Sequence, residues 1–109
     1  MTSILNPLNM LNDLQLMIFN TIFKKDELGR YVDLVDTMNG NISLSGKKDD
    51  ELDSNEYFML SVLRETVAKF LLQFQTEKDI VKLLLDIKDS NLSYINYIKD
   101  FQTKNTKYK

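Results

Sequence analysis

A chain of 109 residues with a net charge of −2 has the size of one domain and lacks the basic surplus of a protein that grips phosphate backbones. It contains no histidine and no cysteine, which removes the side chains that most often serve as nucleophile, as proton carrier near neutral pH and as zinc ligand. Hydrophobic residues make up 43%, with six Phe and five Tyr among them, enough to bury a core without disulfides or metal.

The first apolar stretch starts well for a helix, with Asn6 as cap and Pro7 at the first helical position. The helix predicted from there to about Phe23 carries Leu11, Leu14, Ile18 and Ile22 on one stripe, widened by Leu8, Met10, Met17, Phe19 and Phe23. A helix apolar on most sides is either central to a core or covered by a partner. Asn9, Asn12, Asp13, Gln15 and Asn20 interrupt the stretch, and Lys24 and Lys25 follow it. Neither a secretory signal nor a membrane-spanning helix is therefore expected, and the chain reads as cytoplasmic.

Asp26 is suited to cap a second helix, with Leu28, Tyr31, Val32, Val35 and Met38 at helical spacing and Asn39-Gly40 to end it. Asn39-Gly40 could instead begin a hairpin, since Ile42 and Leu44 alternate with polar neighbours, but no matching strand follows. From about 41 to 53 the chain reads as a long charged loop containing Gly46, Lys47, Lys48, Asp49, Asp50, Glu51 and Asp53. Asp53 with Glu56 resembles a capping box. Behind it Leu60, Leu63, Val67, Phe70 and Phe74 form a seam spaced three and four apart. Thr76 starts a further helix bearing Ile80, Leu83, Leu84 and Ile87. Asp89 or Ser90 caps a last one bearing Leu92, Ile95, Ile98 and Phe101, unless the two form one kinked helix. The expected fold is all-α: a small antiparallel bundle of four to five helices in a single domain over 1–109, with 103–109 a frayed basic tail.

No catalytic, cofactor or metal site stands out. Asp49, Glu51, Asp53 and Asn55 open like a calcium loop, but Ser54 and Leu60 occupy the positions that need glycine and a bidentate glutamate. Asp33 and Asp36 share a face of the expected second helix, opposite its apolar residues, where water accounts for them. The glycines, at 29, 40 and 46, build no phosphate cradle, so neither an enzyme nor a small-molecule substrate is expected.

The apolar surplus carries the functional expectation. Tyr57, Phe58 and Met59 are consecutive and cannot all face one core, and Leu16-Met17-Ile18-Phe19 fills nearly a full turn. Met17, Phe19, Phe23, Tyr57, Phe58 and Met59 are thus the candidate partner-binding residues, for another protein or for a second copy of the chain. The leading expectation is a non-catalytic interaction module: a small adaptor, chaperone-like subunit or inhibitor. The alternative is a small cytoplasmic immunity-type protein guarding a membrane target from a toxin, which rests on size, helical make-up and the lysines of the tail.

Overall fold

The computed structural model describes residues 7–36 and 42–106. Four α-helices, α1 (Asp13–Ile22), α2 (Ser54–Leu71), α3 (Glu77–Ser90) and α4 (Tyr94–Thr106), build the expected small all-α helical bundle. Between α1 and α2 the chain forms a two-residue antiparallel ladder of β1 (Val35–Asp36) and β2 (Ile42–Ser43).

The helix starts follow local capping chemistry. Pro7 opens a short 3-10 turn, Pro7–Met10, while α1 begins only after Asn12. There the Gln15 amide donates to Asn12 Oδ1 at 2.9 Å and the Asn12 amide to Gln15 Oε1 at 2.8 Å. This reciprocal cap satisfies two of the amides a helix start leaves free, so the single helix expected from Pro7 to Phe23 is divided. The Asn6 cap lies outside the described residues. At α2 the expected box is present, with Glu56 N donating to Asp53 Oδ1 at 2.8 Å and Asp53 N to Glu56 Oε1 at 3.0 Å. Thr76 caps α3 as expected, accepting from Asp79 N at 3.1 Å. Asn91, at φ 61°, ends α3 in the left-handed conformation, so α3 and α4 are separate. Ser93, not Asp89 or Ser90, caps α4, accepting from Asn96 N at 3.2 Å. Residues 103–106, expected in a frayed tail, continue α4 as helix, and 107–109 lie outside the described residues.

The second helix expected after Asp26 does not form. The Asp26 carboxylate accepts from Leu28 N at 2.9 Å and Arg30 N at 3.0 Å, closing an Asx-type turn in which Gly29 takes φ +83°. Asp competes for the backbone in this way whenever a nearby glycine lets the chain turn. Tyr31 N then donates to Lys47 O at 2.9 Å and Leu44 N to Leu34 O at 2.9 Å, so the segment pairs with the stretch that was expected to be a loop. The strand matching Ile42 precedes it in sequence. Asp33 and Asp36 accordingly share no helix face, and Met38, Asn39 and Gly40 lie outside the described residues. Nor is the stretch from 42 to 53 simply solvated, since Leu44 and Leu52 are buried.

The core is continuous: Ile18, Phe19, Ile22 and Phe23 of the first helical segment, Tyr31, Leu34, Leu44 and Leu52 of the connecting segment, and the inward faces of α2, α3 and α4. β1 lies against α4. At the far end Phe70 gathers the rings of Phe74, Tyr97 and Phe101 at centroid distances of 5.1, 6.3 and 5.2 Å. Among the described residues no helix is long and apolar enough to cross a membrane.

Candidate functional site

Among the described residues, the α2 helix is where the core leaves the most aromatic surface outside. With Leu60, Leu63, Val67, Phe70 and Leu71 turned inward, the 100° step between residues sends Phe58 to the opposite side, and Val62 one turn later falls beside it. Phe58 is 67% exposed, Tyr57 46% and Val62 39%. Met59 turns back and is half-buried. Farther along the same outer face Lys69 pairs with Glu65 at 3.8 Å, so the face is apolar in its first half and charged in its second.

The other candidates divide between core and surface. Phe19 and Phe23 are both buried, their rings 4.7 Å apart, and belong to the interior of the molecule. Met17 is exposed on α1, on the side turned away from Ile18 and Ile22. The structure thus leaves Tyr57, Phe58 and Met17 outward, on two helices, with Val62 as a neighbour that the sequence reading did not single out. An apolar residue at i+4 from a candidate anchor is the signal that the sequence offers for it.

A polar cluster beside α2 also escaped the sequence reading, because its members are far apart in the chain. The Tyr31 hydroxyl donates to Asp49 Oδ1 at 2.7 Å and accepts from an Arg64 terminal nitrogen at 3.3 Å. Lys25 Nζ pairs with Asp49 Oδ2 at 2.5 Å and lies 5.0 Å from the centre of the Tyr31 ring. The Lys25 ammonium and then the Tyr31 hydroxyl hold the Asp49 carboxyl below its usual range, while the Asp49 bond raises Lys25. Burial first, and the bond to Asp49 second, push Tyr31 up, which keeps its hydroxyl protonated as a donor. The Arg64 guanidinium sits 5.9 Å from the Phe23 ring centre, and its buried Nε makes no hydrogen bond among the described residues.

Because Tyr31 is only 1% exposed and its oxygen is occupied on both sides, the cluster clamps the connecting segment to α2 and presents no free acid or nucleophile. Its ion pair has a signature in pH. A carboxylate whose folded pKa is depressed contributes stability above its unfolded value of about 3.9 and loses it as pH falls through the lower folded value. Asp49→Asn is therefore expected to make the decline in urea midpoint below about pH 4 shallower than in the parent chain. An unchanged acid limb would show that the Lys25–Asp49 pair does not couple to folding.

The other carboxylates of the would-be calcium loop are committed elsewhere. Glu51 accepts from Lys48 N at 2.9 Å, Asp53 caps α2, and Glu56 also pairs with Lys47. Among the described residues no three acidic side chains converge as a metal site. Compared with protein-family models, curated proteins and solved structures, the chain matches none.

Proposed function

We propose that this chain is a non-catalytic protein-binding module, of the kind that works as a small adaptor, chaperone-like subunit or inhibitor, and that a partner docks on the outer face of α2. The observation that carries this reading is Phe58: an aromatic side chain two-thirds exposed on a regular helix, opposite its own core and one turn from the exposed Val62. Little of its surface is covered by the fold at that position, whereas a partner's pocket would gain from burying it. Interfaces concentrate their energy in a few such aromatic anchors ringed by weaker contacts. Tyr57 and Val62 stand on either side of the anchor, and the Glu65–Lys69 pair forms part of a polar rim. Phe19 and Phe23 drop out of this surface because their truncation would test folding rather than binding.

The experiment places a photoreactive amino acid at position 58, with a control at exposed position 86 on α3, in the chain expressed in its own host. A discrete adduct at 58 that is absent at 86 supplies the partner for titration. Phe58→Ala should then weaken that partner's binding by at least about 30-fold, equivalent to about 2 kcal/mol. It should change the stability of the chain itself by under about 0.5 kcal/mol. No adduct specific to 58, or an unchanged Kd for Phe58→Ala, would sink the proposal.

A further inference from the structure

The α3 helix carries a second apolar strip, on a different helix from the α2 face and independent of it. Ile80, Leu83 and Ile87 are buried, while Val81 and Leu85, one turn apart, are 50% and 55% exposed. The half-buried Leu84 forms the shoulder of the strip and leads into a shallow groove of about 550 Å³, lined also by Ile87, Leu92 and Tyr94.

What surrounds the strip says what covers it. On the helical wheel Lys78 and Asp89 border one side, Glu77 and Lys88 the other, and all four are exposed. At three and four residues on either side none of them finds an opposite charge. By contrast α2 and α4 neutralise theirs internally through Glu65–Lys69 and Asp100–Lys104. Lys78 and Asp89 are moreover placed against the helix dipole: a cation in the first turn and an anion in the last, each unfavourable in an isolated helix. Charges arranged this way complement the same helix turned end for end.

We infer that a second copy of the chain docks on this strip, α3 against α3 and antiparallel, with the two-fold axis level with residue 83. Val81 then packs against the second copy's Leu85, and Leu85 against its Val81. Lys78 comes within one residue of the level of the second copy's Asp89, and Glu77 likewise of its Lys88. Symmetry repeats each pair, so the apolar strip is closed by four ion pairs, and the two helix dipoles run in opposition. Lys82 lies farther round the helix, equally distant in level from the second copy's Lys82 and Asp86, and favours no register. One helix pair covers less than the ~1,200 Å² of a standard stable interface. The dimer is accordingly weak and reversible.

Sedimentation equilibrium of the full chain from about 1 μM to about 1 mM tests this, with melting curves recorded alongside. The parent chain should pass reversibly from monomer to dimer. Leu85→Glu, at an exposed position, should melt as the parent does and weaken the dimer at least about tenfold. Lys78→Glu and Asp89→Lys should each weaken it while melting no lower, since each charge now suits the helix dipole. The double swap within one chain should restore dimerisation, and an equimolar mixture of the two single variants should form heterodimers in preference to either homodimer. A chain monomeric at about 1 mM, or a dimer indifferent to Leu85→Glu, would overturn the inference. A double swap weaker than either single change would overturn it too, by showing a parallel pair in which Lys78 meets Glu77.

Discussion

Gln15→Leu is expected to lower the stability of this chain by about 3 kcal/mol, read as a drop in urea midpoint at unchanged slope. Gln15 is 1% exposed and every polar atom of its amide is occupied. Nε2 donates to Leu71 O at 2.8 Å and to Phe74 O at 2.9 Å, and Oε1 accepts from Asn12 N. The carbonyls of the last turn of α2 and of the turn that follows it are short of helical partners: Leu71 O accepts from Phe74 N at 3.0 Å, and Phe74 O lies just beyond the helix. The start of α1 supplies those partners, and in doing so sets the positive end of one helix dipole against the negative end of another. Leucine keeps the volume but orphans Phe74 O and half the cap, each worth about 1–3 kcal/mol when the group stays dry, and strips Leu71 O of one of its two donors, Phe74 N remaining at 3.0 Å. Asn12→Ala is the control, because it removes the cap and only a long, exposed 3.5 Å bond to Gln75 O, and should cost about 1 kcal/mol. If Gln15→Leu costs no more than that, the link to α2 contributes nothing to stability.

Phe70→Ala is expected to cost about 3–5 kcal/mol, a large part of the 5–15 kcal/mol available to a domain of this kind. The ring is fully enclosed and forms the hub for Phe74, Tyr97 and Phe101. Its removal leaves a void between α2 and α4 that none of the three neighbours can fill without leaving its own packing. Thermal melting should fall by at least roughly 15 °C. Phe70→Leu should recover most of the loss, since it restores volume without a polar atom. The comparison with Phe58→Ala is the sharper part: the same residue type on the same helix, one on each side, should differ by several kcal/mol in stability. Equal effects would mean that the two faces of α2 do not differ in burial, and reversed effects that they have been exchanged.

The parts of this protein legible in the sequence were those whose cause lies within one turn of chain. The Asp53–Glu56 box and the Thr76 cap were readable because donor and acceptor are three residues apart. The seam of α2 was readable because a period near 3.6 reports one buried face. The same reasoning placed Tyr57, Phe58 and Met59 on faces that cannot all be inward, and two of them are indeed exposed. It could not separate Phe19 and Phe23, which the core absorbs, from Met17, which it leaves out, since all three sit on one nearly continuous apolar surface.

What the sequence by itself determined is the bundle: its helix-forming seams, the caps of α2 and α3, and an apolar surplus larger than one face per helix requires. Tertiary structure decided the rest, wherever two local solutions were close in energy. Residues 26–36 had an adequate helical pattern, but the Asx turn at Asp26 and pairing with the stretch around Leu44 won, burying Tyr31 and Leu34 against the helices. Gln15 read as a polar interruption of an apolar stretch until the ends of α1 and α2 met, 56 residues apart in sequence. The cluster of Lys25, Tyr31, Asp49 and Arg64 has no sequence signature at all. A hydrogen bond or ion pair between distant segments gains its value only when the fold has removed the water around it.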